Sequence, residues 1–148
     1  MKQLIFLAVL LFTAHLGYSQ KSEGFWFGDI EEASDYATTN EVPILMVFAG
    51  SDWCKPCMQF KKDILTSEQF TDYASGKLAI LYLDFPMRKQ NKLSEEQTAH
   101  NEKLAEKYNK SGAFPAILLM DANQNVYGPL EFKRQSPDDF IKSCKALL

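Results

Sequence analysis

Cys54 and Cys57 stand three positions apart in "SDWCKPC" (Ser51 to Cys57), directly behind a tryptophan, and Cys144 is the only other cysteine of the chain. Thiols at this spacing suit three kinds of chemistry. They can close a small structural bridge, supply half of a metal site, or trade electrons with other proteins, where the thiolate is the attacking species. A bridge around so few residues restrains the unfolded chain by only about 2 kcal/mol. Zinc takes four ligands, and Cys54, Cys57, Cys144 and His100 lie at unrelated spacings. The two structural readings are therefore the weaker ones.

The neighbouring elements follow from the pattern of apolar residues. "PILMVFAG" from Pro43 is a short continuous apolar run, which suits a strand buried on both faces. A helix is expected to open at the cysteines and run through "MQFKKDIL", with Met58, Phe60, Ile64 and Leu65 as its apolar residues. Before these, Asp29 to Asn40 has Ile30, Ala33 and Ala37 at helical spacing, with Glu31 and Glu32 in its first turn. After them come a short helical piece at Ser67 to Tyr73 and a second apolar run, "LAILYLDF". Ser94 with Gln97 predicts a capping box for a helix to about Tyr108. "AILLM" from Ala116 predicts a third strand, and "NVYG" returns as its hairpin partner after the turn residues Asp121 to Gln124. Ser136-Pro137-Asp138-Asp139 is a helix start: a cap, a proline in the first turn and two acids. Buried strands alternating with helices predict an α/β fold, a central sheet covered on both faces.

Composition bounds the rest. The chain has 148 residues, 46% of them hydrophobic, and a formal charge of −3, which fits one domain with an apolar core. The nearest thing to a basic run is Arg88, Lys89 and Lys92, read as a solvated loop, so no nucleic-acid partner is expected. Residues 1–19 have a different character: Lys2, the apolar run "LIFLAVLLF", then Gly17 and Ser19 at the −3 and −1 positions before Gln20. That is the layout of a secretory signal peptide, too short to span a membrane. The mature chain is thus expected to be residues 20–148, periplasmic or secreted, with a retained N-terminal anchor as the competing reading. In such a compartment a disulfide-scaffolded domain would carry more cysteines than three. Cys144 shares an i, i+4, i+7 stripe with Phe140 and Leu147, which makes it a core residue before it is a regulatory thiol. His100 is expected on the exposed face of a polar helix, and Phe25, Trp26 and Phe27 in core or edge packing.

With "WCKPC" after a buried strand and at the start of a helix, and "GAFPAILLMD" about sixty residues later, the chain resembles the thioredoxin-fold family. The likeness covers residues 24 to 148, and "FAGSDWC" is most similar to exported bacterial thioredoxin-like proteins. It implies a mixed central sheet, a redox disulfide Cys54–Cys57, and a cis proline at Pro115. The backbone before that proline pairs with an extended substrate in this family. Trp53, Phe114 and Pro115 are then substrate-binding, and Lys55 and Pro56 tune the pair. A helix N-terminus and Lys55 both favour a thiolate at Cys54, so Cys54 is the nucleophile and Cys57 the resolving thiol. Two departures stand out. The family's buried strand aspartate is missing, its region held by Val47 or Phe48, and the stretch Met87 to Leu93 is longer than in a minimal thioredoxin.

The expected activity is that of an exported, monomeric thiol–disulfide oxidoreductase without cofactor or metal. It would act on protein disulfides with a membrane or periplasmic redox partner, and Pro56 resembles the reducing or isomerising members. The competing readings are a dedicated electron carrier to one partner, as in cytochrome maturation, and a chaperone-like binding module with incidental cysteines.

Overall fold

Three apolar runs form the centre of a five-stranded sheet in the computed structural model, which describes residues 24–148. The signal-peptide reading of residues 1–19 lies outside the described residues. The strands are β1 (Trp26–Phe27), β2 (Ile44–Ala49), β3 (Ala79–Asp84), β4 (Ala116–Met120) and β5 (Val126–Leu130), in the spatial order β1-β3-β2-β4-β5. β1, β3 and β2 run parallel, while β4 pairs antiparallel with β2 and β5 with β4. β2 is buried along its whole length because it has a neighbour on each side and a layer on each face. Pro129 sits in the edge strand β5, where a missing N–H is tolerated.

Alternation along β2 divides the core in two. Ile44, Met46 and Phe48 face α1 (Ile30–Asn40) and α4 (Glu95–Tyr108). Leu45, Val47 and Ala49 face α2 (Lys55–Phe60), α3 (Glu68–Ala74) and α5 (Pro137–Lys145). Both cysteines of the motif and Cys144 belong to this second layer. The expected α/β architecture with both faces covered is the one observed.

The helix starts are chemically explicit. The Asp29 carboxylate accepts from the N–H groups of Glu31 and Glu32, and Ser67, Ser94 and Ser136 accept from Phe70, Gln97 and Asp139. The box at Ser94 is only half made. The Gln97 side chain does not return to the cap; its amide donates to the Gly28 carbonyl at 2.9 Å and to Asn101 Oδ1 at 2.8 Å.

Three other details differ from the sequence reading. α2 runs on into a π-helical turn, Lys61–Leu65, closed by the Thr66 N–H to the Lys61 carbonyl at 2.9 Å. Met58 is 43% exposed, because Cys57, Phe60 and Ile64 take the inward positions. His100 is half-buried, not exposed: its Nε2 accepts from the Ile30 N–H at 3.2 Å, which ties α4 to the start of α1.

Candidate active site

Cys54 caps α2. Its sulfur accepts the Cys57 N–H at 3.3 Å, and its own N–H donates to the Gly50 carbonyl at 3.0 Å. Cys54 and Cys57 are joined as a disulfide, with Cα atoms 5.2 Å apart. Cys54 is 4% exposed and Cys57 1%, so both residues are buried in the oxidised protein. Lys55 and Pro56 are exposed in the first turn of α2. Proline is tolerated there because the first helical N–H groups have no intrahelical acceptor.

Val47, not Phe48, is the strand residue on the cysteine side. It shares the apolar layer with Cys54 and Cys57, while Phe48 points to the opposite face. Cys144 is fully buried in the same layer, and burial pushes its thiol up to about 12. It is a core residue.

Residues 51 to 53 are each tied to the segment that leaves β3. The Ser51 N–H and hydroxyl donate to the two Asp84 carboxylate oxygens at 2.8 and 2.6 Å. The Trp53 indole N–H donates to the Phe85 carbonyl at 2.7 Å. The Asp52 carboxylate accepts from the Met87 N–H at 2.9 Å, the Arg88 N–H at 3.0 Å and Asn91 Nδ2 at 2.9 Å. The Met87 amide, with Asn91, Arg88 and its charge, holds the Asp52 carboxyl below the usual range. The stretch from Met87 includes a 3-10 turn at Lys89–Asn91, which leads into α4. Asn101 of α4 is buried and donates to the Asp84 carbonyl at 2.9 Å.

Trp53 reaches the second loop as well. Its ring meets Phe114 edge-on at 5.3 Å between centroids, and Phe114 meets Phe85 the same way at 5.4 Å. The Phe114–Pro115 peptide bond is cis. Beside these rings lies a cleft of about 420 Å³, walled by Trp53, Phe85, Pro86, Met87, Leu93 and Phe114. The motif and the cis-proline loop thus come together as the sequence suggests. Asp52, Asp84 and Phe85 were not singled out by the sequence reading, because their partners lie 32 to 39 positions away along the chain.

A disulfide between cysteines three positions apart at a helix start can pass two electrons by exchange. The family model described as thioredoxin-like matches residues 25–122. The chain belongs to the thioredoxin-like family. Among thioredoxin-like relatives it is 30% identical to the disulfide bond reductase DsbH of Chlamydia pneumoniae, over 79% of this chain and 69% of that one. It is 29% identical to the thioredoxin-related protein DsbJ of the same organism, over 86% of this chain but only 38% of that longer protein. A solved structure of a DsbH oxidoreductase superposes with a TM-score of 0.75 at 29% identity, covering 82% of each chain. This is accordingly a thiol–disulfide oxidoreductase of thioredoxin-like fold. Among the described residues no helix is long and apolar enough to cross a membrane.

Proposed function

We propose that the chain is an exported reductase of protein disulfides, with Cys54 as nucleophile and Cys57 as resolving thiol. The supporting observation is the asymmetry of the pair: Cys54 caps α2, its sulfur accepting a helix-end N–H, while Cys57 lies inside the helix. The likeness to a protein named as a disulfide bond reductase favours the reducing direction, as does the Lys55-Pro56 pair.

In the reduced enzyme the Cys54 thiolate attacks one sulfur of a substrate disulfide. The substrate S–S bond breaks, its other sulfur leaves as a thiolate, and a mixed disulfide joins Cys54 to the substrate. The helix-end N–H of Cys57 stabilises the charge on Cys54 before attack. Cys57 then loses its proton and attacks Cys54. The second substrate sulfur leaves, and the enzyme holds the Cys54–Cys57 disulfide. With apolar Val47 on this face, the Cys57 proton goes to water or to the departing substrate sulfur. A membrane or periplasmic partner returns two electrons to the pair. Trp53, Phe114 and the backbone before Pro115 flank the incoming chain.

The reduction potential tests the direction. A value near those of thioredoxins and glutaredoxins, about −200 mV or lower, is expected. A value more positive than about −150 mV would make the protein an oxidant instead. Export is tested by intact mass: the exported protein should begin at Gln20, and a full-length, membrane-held species would refute cleavage.

A further inference from the structure

The segment from Pro86 to Lys92 is held against the cysteine loop by one side chain, Asp52. A carboxylate offers two oxygens, and both are used here: Oδ1 takes the Met87 N–H, and Oδ2 takes the Arg88 N–H and Asn91 Nδ2. These are charge-assisted bonds, stronger than neutral ones. Asp52 lies between Ser51, bonded to Asp84, and Trp53, bonded to Phe85. Ser51 and Trp53 thus fasten the cysteine loop to Asp84 and Phe85, and Asp52 fastens it to the segment that follows them. The segment contributes Met87, 75% exposed, to the wall of the cleft beside Trp53 and Phe114.

We propose that Asp52 is a positioning residue: it clasps residues 86–92 so that Met87, Trp53 and Phe114 form one fixed surface beside Cys54 for disulfides carried on polypeptides. The inference rests on the oxidoreductase reading above and assigns Asp52 no contact with the reacting sulfurs. A fixed surface loses little freedom when a chain docks on it, whereas a loose one must be ordered at each encounter. The clasp therefore acts on KM for polypeptide substrates more than on the chemical step.

The test uses the full mature chain, insulin as the disulfide substrate and a dithiol as recycling reductant. Asp52→Asn keeps the shape but turns one of the two acceptor oxygens into an amide donor, which then faces an N–H that the carboxylate received. We expect KM for insulin to rise about tenfold with kcat changed less than about threefold, and faster hydrogen exchange at the Met87 and Arg88 amides. The swap D52N/N91D restores the amide–carboxylate pair between these two side chains but not the second backbone acceptor, so it should recover part of the KM. If Asp52→Asn does not fold, Asn91→Ala removes one donor and should give a smaller rise of the same kind. An unchanged KM, unchanged amide exchange or a swap without recovery would overturn the clasp. A shifted pH profile of Cys54 alkylation with unchanged KM would overturn it too, making Asp52 a modifier of the thiolate. Wild-type protein that never reduces insulin would instead remove the oxidoreductase reading itself.

Discussion

Trp53 occupies the space that a side chain at residue 50 would need. A Cβ built on Gly50 collides with Cε2 of the Trp53 ring, and the indole N–H is at the same time bonded to the Phe85 carbonyl. Gly50→Ala should therefore push the indole off that carbonyl, with a change in tryptophan fluorescence. Overpacking of this kind costs about 1–3 kcal/mol. Urea unfolding would measure it, and an unaltered midpoint would show that the ring moves freely.

Substitutions of the two motif cysteines should differ in kind. Cys57→Ser keeps the attacker but cannot release the mixed disulfide, so it should accumulate covalent, reductant-sensitive adducts. Cys54→Ser should lose activity and trap little. Both should lose no more than about 2 kcal/mol of stability, because the bridge closes so short a loop. Non-reducing electrophoresis with substrate reads the adducts. Equal trapping by both variants would reverse or void the assignment of roles.

Cys144 should resist alkylation in the folded, reduced protein while Cys54 reacts. Its raised pKa also has a thermodynamic sign. From the ordinary value of 9.0 up to about 12, the unfolded chain loses this proton and the folded chain keeps it. Stability should thus fall as pH rises through that window, by at most about 1.4 kcal/mol per pH unit from this group. Tyr73 and Tyr82, also raised, first by burial, add the same sign. Comparing the pH dependence of wild type with Cys144→Ala isolates the thiol, and identical curves would exclude it.

Asn101 joins α4 to the strand end that anchors Ser51. Its Nδ2 donates to the Asp84 carbonyl, and its Oδ1 accepts from Gln97 at 2.8 Å and faces His100 Nδ1 at 3.0 Å. Asn101→Ala takes this donor from the Asp84 carbonyl, while Gln97 keeps the Gly28 carbonyl. A loss of about 2–3 kcal/mol is expected in thermal or urea unfolding. The variant should also weaken the Ser51 N–H protection seen by hydrogen exchange.

Much of this fold is legible in the sequence because its signals are local. Continuous apolar runs mark β2, β3 and β4, and Asp29, Ser94 and Ser136 mark three helix starts. Trp53 and Phe114 come together, as the family resemblance implies. What escapes is non-local or too small to show a period. β1 is two residues long and exists through its pairing with β3. The Gln97 side chain abandons its cap because Gly28 and Asn101, remote or one turn on, offer better partners. Asp52 reads as an ordinary polar loop residue until the segment from Met87 is folded back onto it.

The π-helical turn at Lys61–Leu65 has one more consequence. An α-helix rotates by about 100° per residue, and a π-turn absorbs one extra residue without passing that rotation on. Cys57 and Phe60 lie before the turn, Ile64 and Leu65 are its last two residues, and all four face the same apolar layer. Deleting Lys62 would convert the turn to regular α-helix. Because the wide turn had absorbed that residue, Cys57 and Phe60 should keep their aim at the sheet and Ile64 and Leu65 their place in the core. The wide turn works as a phase corrector: it takes up a residue that would otherwise rotate the cysteine end away from the sheet.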